Sequence, residues 1–168
     1  MSAPLLGPIM REELQVIDPR AAVRRLYAAY ASGDATQISD ALHPDARWIA
    51  PPGNATQVAI GQGRGDEAGL PDGSNTLDRA AIAEFMAGDF RRLFGDVVNE
   101  VRLMIADGDH VVLESRLSAT LPGGSRYVLD YCFIHRVADE RVIEIREYMD
   151  TRGGWAQMFG ERAPGTLI

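Results

Sequence analysis

The sequence predicts an α+β domain, a curved and mostly antiparallel sheet packed on N-terminal helices around a pocket. Three observations carry that expectation. Apolar residues recur at helical spacing early in the chain, at Ala22, Val23, Leu26, Tyr27 and Tyr30, and again at Ile82, Phe85, Met86, Phe90 and Leu93. After residue 96 the pattern changes to strands separated by turn-forming residues. Helices first and a strand run afterwards segregate the two kinds of element, which is the α+β arrangement.

Residues 1–17 read as an N-terminal arm and 18–168 as a single domain. Asp18-Pro19 supplies a cap and a first-turn proline for the first helix, and Gly33 closes it. Asp34 caps a short second helix carrying Ile38, Ala41 and Leu42. His43-Pro44-Asp45 reads as a turn, and residues 46–50 as a strand stopped by Pro51-Pro52. Residues 51–77 form a long Gly-rich loop, a length that compact domains reserve for lids or disordered segments. A helix is expected from about Leu77 to Phe94, ended by Gly95, with its Met and Phe stripe facing the core. Strands then fall near 97–106, 110–121, 125–137 and 141–149, and Asp150 caps a terminal turn.

Composition narrows the function. A chain of 168 residues with 46% hydrophobic and 24% charged residues is an ordinary single globular domain. No apolar run reaches the roughly 18 residues that a membrane helix needs, so no membrane partner is expected. The N-terminus lacks a basic region followed by an apolar one, which is not a secretory leader. With Cys132 the lone cysteine, read as a buried thiol, a cytoplasmic location is expected. A net charge of −7 argues against nucleic acid. All 17 basic residues are Arg, so Schiff-base lysine chemistry and a Walker-type phosphate loop are excluded. The three His lie far apart in sequence, and no metal site is expected. Gly61-Gln62-Gly63-Arg64-Gly65 has no strand before it and no helix directly after it, so it is not a dinucleotide fingerprint. No cofactor is expected.

Three stretches resemble the SnoaL-like and ketosteroid-isomerase-related branch of the nuclear-transport-factor-two-like superfamily. They are Tyr27-Ala-Ala-Tyr30-Ala-Ser-Gly33-Asp34 through Ala46, Ala81-Ile82-Ala83-Glu84-Phe85, and Arg141 through Asp150. The resemblance implies a cone-shaped fold with a pocket and chemistry done by side chains alone. A further likeness is to limonene-epoxide hydrolases. It sets Glu114-Ser115-Arg116, Leu121-Pro122-Gly123-Gly124 and Arg146-Glu147-Tyr148-Met149-Asp150 in register with that family's motifs. Glu147 then falls on the water-activating carboxylate, Glu114 on the bridging arginine and Arg116 on the acidic residue. Trp48-Ile49-Ala50 replaces that family's water-holding pair, and Ala50 stands where ketosteroid isomerases carry their base.

Side chains alternate along strands, so Ile143, Ile145, Glu147 and Met149 share one face. Glu114, Arg116 and Ser118 share another, as do Tyr127, Leu129, Tyr131, Phe133 and His135. If the register holds, these sets meet in one cavity. Glu147 is then the acid or base, Arg116 with Glu114 orients it, Tyr131 donates to a substrate oxygen and His135 is a second acid or base. Trp48, Met86, Phe90, Tyr127, Phe133 and Met149 form a wall for a hydrophobic small-molecule substrate. The plainer alternatives stand beside this: a reversed strand with Glu147 solvated, a structural ion-pair network of Glu114, Arg116 and Glu147, a core Tyr131, and a satisfied strand His135.

The expected function is a cofactor-independent isomerase, lyase or cyclase acting on an aromatic, polyketide or terpenoid compound. An epoxide hydrolase and a non-catalytic binding or dimerisation module are the alternatives. A homodimer is expected through an outer sheet face carrying Val112, Leu117, Val128, Cys132 and Ile134.

Overall fold

A computed structural model of the chain describes residues 18–51, 54–59 and 75–160. Helix α1 (Pro19–Ser32) starts where the Asp18 carboxylate accepts from the Arg20 backbone N–H at 3.0 Å. It ends at Gly33, whose φ of 70° is left-handed. The Arg91 guanidinium occupies the space that a side chain on Gly33 would need, and it donates to the Tyr30 and Ala31 carbonyls at 3.0 and 2.7 Å. Helix α2 (Ala35–Ala41) is capped by Asp34, which accepts from Thr36 and Gln37 N–H.

Strand β1 (Leu42–Ala50) lies parallel to β6 (Arg141–Met149). The register jumps between Leu42 and Arg47, so His43-Pro44-Asp45, expected as a turn, is a bulge within a strand. After α3 (Ala55–Ala59) comes β2 (Asn75–Asp78), antiparallel to β1. A helix was expected to begin at Leu77. Instead Leu77 pairs opposite Trp48, and the free edge of β1 keeps the chain extended until Asp78 caps α4 (Arg79–Glu84). A π-helical stretch (Phe85–Asp89) and α5 (Phe90–Leu93) continue from it.

The meander follows as β3 (Gly95–Asp107), β4 (His110–Thr120), β5 (Arg126–Ala138) and β6, each antiparallel to the next. The sheet order is β2-β1-β6-β5-β4-β3, curled but not closed. Helix α6 (Thr151–Phe159), expected only as a turn, is capped by Asp150, which accepts from Gly153 N–H at 2.9 Å. Gln157 binds both backbone groups of Val128 on β5, at 2.7 and 2.9 Å.

Two apolar clusters fill the concave side. One joins α1, α2 and α4 to the sheet through Val23, Leu26, Ile38, Ile82, Leu113 and Val142. The other sits under α6 around Phe94, Leu117, Tyr127 and Leu129. Phe90 and Phe133 pack against both. A fully buried Leu or Ile contributes roughly 1.5–3 kcal/mol, so these clusters hold the helices against the sheet.

The arm at 1–17 lies outside the described residues, as do 52–53 and 60–74 of the Gly-rich loop. Among the described residues, no helix is long and apolar enough to cross a membrane.

Candidate active site

Between the two clusters lies a cavity of about 770 Å³. The inner faces of β4, β5 and β6 form its floor. Helix α1, the π-helical stretch and α5 form its roof, and β1 and the start of β3 form its sides. Its wall is strongly aromatic: Tyr27, Tyr30, Trp48, Phe85, Phe90, Phe94, Tyr131 and Phe133 all face it.

Glu147 is the buried charge of this wall. The alternation of β6 turns Ile145 and Glu147 inward and Arg146 and Tyr148 outward. Ile143 was expected to share that inner face. A bulge near Val142 changes the parity, so fully buried Val142 takes the place and Ile143 is half-buried. Oε2 of Glu147 accepts from the Trp48 indole N–H at 2.8 Å. Burial pushes the Glu147 carboxyl up to about 7, opposed by that hydrogen bond.

The groups around it are neutral at pH 7. His135 is fully buried, and burial lowers its imidazole to about 4. Among the described residues, neither of its ring nitrogens has a hydrogen-bond partner. Burial raises the hydroxyls of Tyr27, Tyr30 and Tyr131, and the charge of Glu147 adds to the effect. The Tyr131 hydroxyl shares a 2.9 Å hydrogen bond with that of Tyr127. Among the described residues, the buried Tyr30 hydroxyl and Ser115 Oγ have no partner.

Of the residues expected at the site, Glu147, Tyr131, His135, Trp48, Met86, Phe90 and Phe133 line this cavity. Tyr127 and Met149 pack in the cluster behind it. Glu114 and Arg116 are not brought to it. The inward positions of β4 are Val111, Leu113, Ser115 and Leu117, so Glu114 and Arg116 face out on the opposite side of the sheet. There Arg116 forms a bidentate pair with Asp130, both contacts 2.7 Å, with Arg102 alongside at 3.3 Å. The expected network of Glu114, Arg116 and Glu147 does not form, and this strand does not carry the likeness to limonene-epoxide hydrolases. Leu117, expected outside, is buried inside for the same reason.

Sequence reasoning placed Tyr27 and Tyr30 only on a core stripe and passed over Ser115. The available signal was a pair of tyrosines three residues apart on a buried face, since buried hydroxyls usually need partners. Among the described residues, no group of three His, Cys, Asp or Glu side chains is placed to hold a metal ion.

Residues 23–145 match the SnoaL-like domain. The chain belongs to that family. Glu147 lies two residues beyond the matched stretch. Solved structures share the SnoaL-like fold. TerC, co-crystallised with polyporic acid, is 24% identical with a TM-score of 0.64, covering 83% of this chain and 96% of its own. An NTF2-like protein of unknown function from Burkholderia pseudomallei is 18% identical with a TM-score of 0.65, covering 84% and 97%. Wild-type IdmH from Streptomyces antibioticus, described as a candidate polyketide cyclase, is 21% identical with a TM-score of 0.64, covering 84% and 98%. No curated protein matches the chain. These likenesses support the cone-shaped NTF2-like α+β fold expected from the sequence.

Proposed function

We propose that this SnoaL-like protein is an acid–base enzyme that uses no bound cofactor and moves a proton on a hydrophobic, oxygen-bearing small molecule, as an isomerase, lyase or cyclase does. The observation that carries this reading is Glu147, a carboxyl buried in a roomy aromatic cavity that accepts from the Trp48 indole and, among the described residues, forms no ion pair. A carboxyl held at about 7 is present in both forms at neutral pH, which suits it to take a proton and give it back.

In this scheme the Glu147 carboxylate takes a proton from a C–H next to a carbonyl, and the electron pair moves onto the carbonyl oxygen. The unpartnered Tyr30 hydroxyl, or Tyr131 supported by Tyr127, donates to that oxygen. Protonated Glu147 then returns the proton to another carbon in an isomerisation, or to a departing hydroxyl in an elimination. In a cyclisation the carbanion closes on a second carbonyl of the same molecule, whose π pair moves onto its oxygen, and protonated Glu147 gives the proton to that oxygen. The description of IdmH and the polyporic acid bound to TerC support an oxygenated ring compound as the substrate class.

The test is proton exchange in D₂O with a panel of enolisable cyclic ketones and hydroxylated aromatics. Wild-type protein is expected to exchange the acidic C–H, and Glu147→Gln to do so roughly 100-fold more slowly or worse. Equal exchange by the variant would remove Glu147 from the reaction.

We also propose a homodimer. The outer sheet face carries half-buried Val112, Val128, Cys132 and Ile134, with exposed Ile105 and Tyr148 beside them. The Arg116–Asp130 pair crosses the same face, so two copies can meet apolar on apolar.

A further inference from the structure

The indole of Trp48 was expected as apolar wall, and the structure gives it a polar task as well. Trp48 is held on three sides: stacked on Tyr30 with centroids 6.4 Å apart and planes at 27°, and edge-on to Phe85 at 5.9 Å and Phe133 at 6.1 Å. Its backbone is fixed as well, since Trp48 pairs with Ile145 on β6 and Leu77 on β2. An indole gripped in this way has one direction for its N–H, and that direction is Oε2 of Glu147 at 2.8 Å.

We propose that Trp48 is a positioning residue: its indole N–H anchors Oε2 of Glu147 and so leaves Oε1 as the oxygen that meets the substrate. The inference rests on the acid–base reading and says how that carboxyl is aimed. A carboxyl on a long side chain rotates freely unless one oxygen is tied, and a proton transfer needs the acting oxygen in place beforehand. An N–H donor also favours the ionised carboxyl over the protonated one, so the same bond keeps the base form available against the effect of burial. Among the described residues, the other titratable groups facing the cavity are Tyr27 and Tyr30 from α1, Tyr131 and His135 from β5, Arg91 from α5 and Asp96 from β3.

The experiment needs no substrate. Glutamate carboxyls are labelled with ¹³C and indole nitrogens with ¹⁵N, and both are titrated by NMR in wild type, Glu147→Gln and Trp48→Phe. In wild type the Trp48 indole peak should shift with the same midpoint as the Glu147 carboxyl, near 7. That shift should vanish in Glu147→Gln. In Trp48→Phe, which keeps a ring, the carboxyl midpoint should rise by about one pH unit, a tenfold loss of the base form at a fixed pH on its acid side. A Trp48 peak that does not track Glu147, or a midpoint unmoved in a folded Trp48→Phe, would overturn the proposal. Should Trp48→Phe not fold, the wild-type and Glu147→Gln titrations decide alone. If Glu147→Gln keeps full exchange activity while the two titrations still coincide, the acid–base reading fails and the anchoring stands.

Discussion

At Glu147 and His135 burial acts in opposite directions on two ionisable groups. The Glu147 carboxyl is raised from 4.5 to about 7, so between these pH values the native state holds a proton that the unfolded chain has released. Its contribution is therefore lost as pH rises from 4.5 to about 7. The His135 imidazole is lowered from 6.5 to about 4, so the unfolded chain binds the extra proton, and stability is lost as pH falls from 6.5 to about 4. Each shift is worth about 3 kcal/mol over its window by linkage. Wild type should therefore show a flat stability profile between about 4.5 and 6.5, where the two slopes cancel. In Glu147→Gln only the histidine slope remains, so urea midpoints should fall steadily as pH drops from 6.5 towards 4. A flat profile in that variant would contradict the buried, unpaired His135. Tyr30→Phe belongs to the same scale. Its hydroxyl is buried without a partner, so removing it should leave thermal stability equal or higher while proton exchange falls. A clear loss of stability would show that the hydroxyl is bonded after all.

At the scale of elements, the two glycines of α6 differ in what a side chain would meet. A Cβ on Gly154 would meet Leu129 and the Tyr127 hydroxyl at 3.5 Å, an ordinary contact. A Cβ on Gly153 would stand 2.4 Å from the Asp150 carboxylate that caps the helix. Gly154→Ala should therefore be tolerated or gain up to about 1 kcal/mol from helix propensity. Gly153→Ala has the same gain but displaces the cap, so it should end about 1 kcal/mol less stable than Gly154→Ala. Thermal melts of the two variants check both, and equal melting temperatures would mean that the cap contributes nothing. In the π-helical stretch, Phe85 and Met86 within it, and Phe90 directly after it, all line the cavity.

At the scale of the whole molecule, the sheet separates two tasks. Its inner face holds Glu147 and the aromatic wall, and its outer face holds the ion pair of Arg116 with Asp130 amid apolar side chains. If the outer face joins two copies, sedimentation should give a dimer at micromolar concentration, and Ile134→Glu should give a folded monomer that still exchanges substrate protons. A wild-type monomer would remove the dimer, and a monomeric variant without exchange would show that the site depends on the partner.

The sequence by itself determined the order of helices before strands, most strand ends of the meander and the shared face of Ile145, Glu147 and Met149, because periodicity and turn residues act locally. It also held the capping aspartates, Asp18, Asp34 and Asp150, since a cap is made within three residues. Which face of β4 looks inward was legible in its alternation, since the strand reads Val-Val-Leu-Glu-Ser-Arg-Leu-Ser and puts Val111, Leu113 and Leu117 on one side and Glu114 and Arg116 on the other. The likeness to limonene-epoxide hydrolases pointed the other way. Packing of Val111, Leu113 and Leu117 under the helices settled it, placing Ser115 at the cavity and Arg116 against Asp130. Tertiary structure alone decided what lies far apart in the chain: β2 exists because β1 offers a free edge, and Glu147 meets Trp48 across 99 residues of sequence because β1 docks parallel to β6. Pairings so distant in the chain leave no local periodicity, since their energy comes from surfaces that exist only once the sheet has closed over the helices.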